Sequence, residues 1–362
     1  MKENKIVFVI PSLTAGGAER VVSILANEFV NFNDVEIIQL YKDTPFYSLN
    51  KNVRLKYCKK KYSPKTNILK SIANHIFMVY KIRKLIRDAD VIIGFTTTCN
   101  IYTVLTSKLT GIPCIISERI NPNCNISNKI WERLRKYLYP KANKIVVQTS
   151  LVKDYFMPFV NESKLEIISN PIDSELTKYR DLNAEKENII LHVGRLDKQK
   201  NQELLIKAFA NIPHNGLRLV LIGEGYLKDK YESLINKLNE QNDIFLLGKT
   251  NTVYNEYNRA RIFALTSDYE GFPNALIEAM HFGVPCVSTD CPSGPSDLII
   301  NSENGFLIPV NDQNALETRL IELMEDESLQ EKFSKNAIKS TAQFKAEKIT
   351  KEWMVLINEL IT

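Results

Sequence analysis

Two glutamates, Glu270 and Glu278, lie in the segment Ser267-Asp268-Tyr269-Glu270-Gly271-Phe272-Pro273-Asn274-Ala275-Leu276-Ile277-Glu278. It follows an apolar run, residues 262–265, that reads as a strand. It leads into a short helix that Gly283, before Val284-Pro285, is suited to stop. Asn274 is placed to cap the start of that helix. The unpaired N–H groups there, with Gly271 permitting close approach, form an anion site suited to a diphosphate. Carboxylates would repel the phosphates themselves. Glu270 in the loop and Glu278 one turn into the helix therefore make sense as grips on hydroxyls at either side. A sugar joined to a nucleoside diphosphate offers such hydroxyls on its hexose and on its ribose. A capped helix carrying two surface glutamates is the plainer alternative.

A second segment supplies the opposite charge. Val193-Gly194-Arg195-Leu196-Asp197-Lys198-Gln199-Lys200-Asn201 joins a strand to a helix. Arg195 and Lys200 project from a strand's carboxyl end, where fixed cations can neutralise a leaving diphosphate. Taken alone, such a loop is a solvated turn. Ser12-Leu13-Thr14-Ala15-Gly16-Gly17-Ala18-Glu19 joins the first strand to the first helix, and its paired glycines either let backbone approach a ligand or form a flexible turn. Gly223-Glu224-Gly225 is half of a dinucleotide fingerprint, with Lys228 where the third glycine belongs. His75, His192, His214 and His281 have no metal-ligand spacing, and His192, inside a strand, reads as a satisfied core residue. No GxSxG elbow or P-loop is present.

The elements that position these residues alternate strand and helix. Strands are expected at residues 6–10, 35–40, 91–95, 114–117 and 145–147, with helices at 18–30, 68–87, 101–109 and 131–138. After a strand at 165–168, the second half repeats the pattern. Its strands fall at 189–193, 217–222, 244–247, 262–265, 286–288 and 306–308, with helices at 203–210, 231–238, 275–282, 315–324 and 329–344. Such alternation predicts two doubly wound parallel α/β units whose sites lie outside the strands' carboxyl ends. A chain of 362 residues is also longer than one core usually organises. The boundary falls at Ser169-Asn170-Pro171-Ile172-Asp173, giving a first domain over 1–170 and a second over 171–344. A last helix, 345–362, carries Ile349, Trp353, Leu356, Ile357 and Leu360 on one stripe.

Composition, 44% hydrophobic and 25% charged, excludes disorder and fibrous repeats. Six cysteines without a CxxC pair (Cys58, Cys99, Cys114, Cys124, Cys286, Cys291) argue for buried inert thiols rather than a disulfide or zinc framework. No window approaches the roughly 18–20 uncharged apolar residues of a membrane span. The first apolar run is too short for a signal peptide's apolar region. A cytoplasmic protein is expected.

The net charge of +5 hides an asymmetry. Residues 1–170 hold 26 Lys+Arg against 13 Asp+Glu, and residues 171–362 hold 21 against 29. Twelve basic and no acidic residues lie between Lys51 and Arg87. Within that stretch Ile68, Leu69, Ile72, Ile76, Val79, Tyr80 and Ile86 alternate with Lys70, Lys81, Arg83 and Lys84. This is the pattern of a basic amphipathic helix at an anionic lipid surface, or of one packed on the sheet with its basic edge in water. A nucleic-acid partner would leave the acidic second half and its motifs unexplained.

With the Gly16-Gly17-Ala18-Glu19, Gly194-Arg195-Leu196…Lys200-Asn201 and Glu270-Gly271-Phe272-Pro273…Glu278 segments in this order, the chain resembles the family 4 retaining glycosyltransferases over essentially its whole length. The resemblance includes Asn170-Pro171-Ile172-Asp173, where relatives often read Asn-Gly-Ile-Asp. It is similar more narrowly to bacterial members that extend undecaprenyl-diphosphate-linked oligosaccharides. The resemblance implies the GT-B architecture: two Rossmann-like domains facing a central cleft, the donor site mainly in the second, and the terminal helix returning to the first. It implies no metal and no cofactor, a UDP-sugar donor, a lipid-linked glycan acceptor, and a peripheral place on the inner face of the cell membrane.

Carried over by position, Arg195 and Lys200 bind the donor diphosphate, Glu270 contacts the transferred sugar and Glu278 the ribose. The backbone of Gly271, Phe272, Pro273 and Asn274 holds sugar and phosphate. Gly248 and Lys249 border the base, and Gly16 and Gly17 close over the phosphates. Glu118, Arg119, Lys70, Lys81 and Lys84 fall on the acceptor side. Arg119 departs from the family, where a histidine often follows that glutamate, and adds a cation there. The remaining alternatives are a different two-domain enzyme of this architecture, a phosphorylase or sugar-nucleotide epimerase, or a non-catalytic nucleotide-sugar-binding subunit.

Overall fold

The computed structural model describes residues 4–62, 67–123, 129–213 and 216–361. The chain divides into two compact units, Met1–Pro171 with Ala346–Thr362, and Ile172–Lys345. Cys124 and His214 lie outside the described residues, as does part of the Lys51–Arg87 stretch.

The first unit runs β1 (Lys5–Ile10), α1 (Gly17–Phe29), β2 (Asp34–Tyr41), β3 (Arg54–Lys59), α2 (Ile68–Leu85), β4 (Val91–Phe95), α3 (Thr97–Thr110), β5 (Cys114–Ser117), α4 (Lys129–Leu138), β6 (Lys144–Val147), α5 (Ser150–Phe156) and β7 (Leu165–Ile167). Its sheet is parallel, in the order β3-β2-β1-β4-β5-β6-β7. Alternate residues of β1 enter different cores. Val7 and Val9 pack with Met78, Ile82 and Tyr102, whereas Ile6, Phe8 and Ile10 pack with Leu25, Phe29 and Trp353. Both faces are therefore covered, which is why these strands read as continuous apolar runs.

The second unit continues with α6 (Ser174–Tyr179), β8 (Glu187–Val193), α7 (Gln202–Asn211), β9 (Arg218–Ile222), α8 (Lys228–Leu238), β10 (Ile244–Gly248), α9 (Val253–Arg259), β11 (Ala260–Leu265), α10 (Asn274–His281), β12 (Cys286–Thr289), α11 (Pro295–Leu298), β13 (Phe306–Ile308), α12 (Gln313–Glu325) and α13 (Glu327–Thr341). Its six parallel strands are ordered β10-β9-β8-β11-β12-β13. In each sheet the order reverses once, between β1 and β4 in the first and between β8 and β11 in the second. These are the points outside which open α/β sheets bind ligands.

The last helix, α14 (Ala346–Ile361), belongs to the first unit. Ile349, Trp353, Leu356 and Ile357 are buried there, with the Trp353 ring stacked 5.9 Å from Phe95. Ile172 and Lys345, the first and last residues of the second unit, form a β-bridge, and the Ile172 N–H donates to the Phe344 carbonyl.

β3 lies at the edge of its sheet, within a stretch that reads as a basic surface. There Arg54 and Lys56 bond Glu36, a buried carboxylate on β2 that Lys5 also approaches at 3.3 Å. Burial pushes the Glu36 pKa up, but Lys56, Arg54 and Lys5 outweigh it and hold the group below its ordinary value. Two of the twelve basic residues are thus spent on the sheet edge.

α2 ends at Leu85 rather than Arg87, with Asn67 as its cap. Val79 and Ile86 lie on its buried side together with Met78 and Ile82, so of the apolar residues expected on this helix these two pack inward. Ile68, Leu69, Ile72, Ile76, Phe77 and Tyr80 are exposed, beside exposed Lys70, Arg83 and Lys84 and half-buried Lys81.

Trp353 anchors α14 in a closed core, and its indole Nε1 is buried without a hydrogen-bond partner among the described residues. Trp353→Ala is expected to cost about 3–5 kcal/mol in urea unfolding. Trp353→Phe keeps the ring contact with Phe95 and removes the unsatisfied donor, so it should lose much less. Equal losses would show that ring packing is not what holds the helix.

Candidate active site

The strand-order reversal of the second unit sets the loop after β8 beside the loop after β11, and their side chains meet. Lys200 Nζ donates to Glu270 Oε1 at 2.5 Å, and Ser267 Oγ donates to the same oxygen at 2.6 Å. The two charged side chains are largely buried, 14% and 5% exposed. The first loop is fixed by Asp197 Oδ1 accepting the Lys200 N–H and by Thr266 Oγ1 donating to the carbonyls of Lys200 and Asn201. Gln199 joins the loops through its Nε2 to the Tyr269 carbonyl and its own carbonyl to the Asp268 N–H. Asn201 takes left-handed backbone (φ 48°), which an asparagine tolerates, and α7 starts immediately after it.

Arg195, 64% exposed, pairs with Asp197 at 3.2 Å and Gln199 at 3.1 Å. The structure therefore holds Lys200 against Glu270 and leaves Arg195 facing solvent. Lys249 is also exposed and pairs with Glu224 at 3.0 Å, next to Gly248, whose carbonyl accepts the Gly223 N–H. Gly223 has φ +145°, and a Cβ there would stand 2.0 Å from the Gly194 carbonyl oxygen. The half fingerprint Gly223-Glu224-Gly225 is thus explained by close packing of the loops after β8 and β9.

The Glu270 backbone is held as well. Its N–H donates to the Pro292 carbonyl at 2.8 Å, while Ser293 Oγ reaches the carbonyls of Glu270 and Gly271. Asn274 is not the cap of α10 but its first residue, since Pro273 occupies the cap position with no side-chain cap bond. Proline cannot donate, and the Asn274 N–H is spent on Phe272 at 3.0 Å. Phe272 and Pro273 are buried and Gly271 and Asn274 half-buried. Gly283 (φ +69°) stops the helix as its sequence position requires. Glu278 is no surface glutamate: it is buried and accepts from Tyr257 Oη at 3.1 Å.

In the first unit, Gly16 caps α1 and Gly17 is its first residue, both at the β1–β4 reversal. A Cβ on Gly16 would sit 2.2 Å from Glu19 Oε2, so glycine there makes room for that carboxylate. Glu118 does not face outward. It is fully buried, accepts from Tyr139 Oη (2.8 Å) and Thr97 Oγ1 (3.2 Å), and lies 3.5 Å from buried Arg135. Burial raises its pKa while Arg135, Tyr139 and Thr97 oppose the rise. Arg119 is buried too, its Nη1 donating to Asn170. Among the described residues no cluster of three or more His, Cys, Asp or Glu side chains is arranged to hold a metal. The five described cysteines are buried and free.

His192 supports the Lys200 loop from beneath, a role with no signal in the sequence beyond its place in a strand. Fully buried, its Nδ1 donates to the Ala264 carbonyl at 2.9 Å, so its Nε2 accepts from Gln202 at 3.2 Å. A second proton would face the Gln202 amide and nearby Lys200. Burial above all, then Lys200, lowers its pKa to about 4, against the Ala264 bond. His281, also buried, is lowered to about 4. The unfolded chain therefore binds more protons than the folded one between pH 4 and 6.5. Stability is complete above pH 6.5 and is lost as pH falls toward 4, by on the order of 3 kcal/mol for each such group. His192→Gln should reduce the slope of unfolding free energy against pH in that window by about one proton. An unchanged slope would contradict a neutral buried imidazole.

The described geometry joins known proteins at three levels. The family model for glycosyl transferases group 1 matches residues 174–340, and that for glycosyltransferase family 4 matches residues 15–176. A Campylobacter jejuni GalNAc-alpha-(1->4)-GalNAc-alpha-(1->3)-diNAcBac-PP-undecaprenol alpha-1,4-N-acetyl-D-galactosaminyltransferase is 32% identical over 98% of this chain and 99% of its own length. The amylovoran biosynthesis glycosyltransferase AmsD of Erwinia amylovora is 26% identical over 98% and 99%. Among solved structures, Anabaena HepE in complex with UDP superposes with a TM-score of 0.81 at 19% identity, covering 98% of this chain and all of that one. This last likeness shows the fold, GT-B with two Rossmann-like units. Full-length identity above 30% to a named transferase, with both halves matching their family models, places the chain among the family 4 glycosyltransferases.

Proposed function

We propose that this glycosyltransferase is retaining and metal-independent, and moves a hexose or N-acetylhexosamine from a UDP-sugar to a lipid-linked glycan. The observation that carries the reading is the buried Lys200–Glu270 pair at the β8–β11 reversal, flanked by Arg195 and by the start of α10. A lysine already held by one carboxylate is oriented for a second oxyanion. In the reaction the bond from the sugar's anomeric carbon to the diphosphate breaks, and the electron pair leaves on the phosphate oxygen. Lys200, Arg195 and the helix start oppose that charge as it forms. Glu270 holds a sugar hydroxyl in register, and Glu278 the ribose. The acceptor hydroxyl bonds the anomeric carbon on the face the diphosphate leaves, and its proton passes to the departing phosphate oxygen. No protein nucleophile is assigned.

The acceptor class is supported by the names of the two Campylobacter jejuni relatives, both undecaprenol-diphosphate-linked N-acetylgalactosaminyltransferases. The exposed face of α2 supports it as well. Lys70, Lys81 and Lys84 suit a diphosphate headgroup, and the apolar residues beside them suit the edge of an anionic bilayer. No helix among the described residues is long and apolar enough to cross a membrane.

UDP release measured over a panel of UDP-sugars with short-chain lipid diphosphates, products weighed, tests the reading. Lys200→Ala should lower turnover on the order of 10²-fold or more at saturating donor. Turnover near wild type would remove Lys200 from the reaction. Sedimentation with anionic liposomes should carry the protein down at low salt and release it at high salt. Replacing Ile72 and Ile76 by serine should weaken that binding. Failure to sediment at any salt would remove the bilayer from the scheme.

A further inference from the structure

The first unit holds a second set of polar side chains that the donor chemistry does not use, at the carboxyl ends of β5, β6 and β7. Arg119, two residues beyond β5, is 7% exposed. Its guanidinium lies 4.7 Å above the Phe95 ring and 5.8 Å from that of Trp353, and its Nη1 donates to Asn170 Oδ1. Gln148, just past β6, donates its Nε2 to the same Asn170 oxygen at 3.1 Å. These bonds leave Arg119 Nε and Nη2, Asn121 Nδ2 and Gln148 Oε1 buried without a hydrogen-bond partner among the described residues. Among the described residues no carboxylate is bonded to Arg119, since adjacent Glu118 is committed to Arg135, Tyr139 and Thr97. Burial lowers the Arg119 pKa to about 9, with Glu118 the only charge that opposes it.

The identity of the idle atoms is informative. Nε–H and one Nη2–H run parallel along a single edge of the planar guanidinium, the edge that takes two oxygens of a carboxylate or phosphate together. A buried guanidinium with that edge unused bears a desolvation cost that an incoming oxyanion would offset. Arg119 itself keeps 7% of its surface exposed, and Ile120, the next residue, is 37% exposed.

We infer that the Nε/Nη2 edge of Arg119 is the receptor for an oxyanion carried by a substrate, a phosphate or a carboxylate. Asn121, on the same loop, supplies a further donor. Gln148 Oε1, an acceptor, suits a neighbouring hydroxyl such as any sugar phosphate or uronate offers. The inference rests on the glycosyl-transfer reading only for which substrate carries the anion.

The test uses the full chain labelled with 15N-arginine. The Arg119 Nε–H resonance, assigned by its loss in Arg119→Lys, is followed while inorganic pyrophosphate or, separately, glucuronate is added. One probe should move the resonance saturably, pyrophosphate assigning a phosphoryl ligand and glucuronate a carboxylate. Arg119→Lys should weaken that binding about tenfold or more, since an ammonium has no bidentate edge, while Lys200→Ala leaves it unchanged. A crystal of the unaltered protein soaked in the same probe gives the answer without a variant, as density along that edge. A resonance unmoved by both probes, density elsewhere, or an affinity that follows Lys200 instead of Arg119 overturns the inference. Neither probe is a glycosyl donor, so sugar transfer can fail with this site intact, and the site can fail with transfer intact.

Discussion

The Lys200–Glu270 pair is the contact on which the organisation of the second unit's strand ends depends. An ammonium and a carboxylate removed from water are stable only if each has its partner and the surrounding hydrogen bonds are complete. The loops are built to that requirement. Ser267 completes one oxygen of Glu270, Asp197 and Thr266 hold the Lys200 backbone, and Gln199 ties one loop to the other. Beneath them His192 stays neutral because its second nitrogen must accept from Gln202. The tight approach of Gly223 to Gly194 keeps the neighbouring loop from moving aside. A charge pair at the end of a sheet is thereby held in one geometry by the loops around it.

The two units solve the problem of fixed charge differently. In the second, the cation and the acid of the site neutralise one another, and Arg195 remains at the surface beside Asp197. In the first, the buried acid Glu118 is matched by Arg135, and Arg119 is left with aromatic faces and amides for company. Its surplus of positive charge is divided between structural and exposed roles. Arg54 and Lys56 lock the sheet edge to Glu36, whereas Lys70, Arg83 and Lys84 are exposed on α2 among apolar side chains.

Strand–helix alternation was legible because parallel strands covered on both faces are continuous apolar runs, as at residues 6–10 and 262–265. β3 was not, since Arg54-Leu55-Lys56-Tyr57-Cys58-Lys59 alternates polar and apolar at a sheet edge and its charges are satisfied by a residue on another strand. Proximity in space decided the rest. The motif segments identified Lys200 and Glu270 separately, but only the strand order brings them together. Glu118, Glu278 and Arg119 have the residue types of surface groups, and their burial depends on Arg135, Tyr257 and Phe95, which lie far away in sequence. Likewise the 3.6-residue period of α2 could not tell Val79 and Ile86, which face the sheet, from Ile72 and Ile76, which do not.

The chain leaves the first unit at Pro171 and rejoins it at Ala346, and the two crossing strands of backbone are bonded to one another through Ile172, Phe344 and Lys345. The second unit is in effect a self-closed insertion, while the first is assembled from pieces far apart in the order of synthesis. A nascent chain can finish the inserted half as soon as it leaves the ribosome. The earlier-translated part of the first unit must wait, with the Phe95 face uncovered, until the residues around Trp353 are translated. The amino-terminal half is therefore the one a chaperone would have most occasion to shelter.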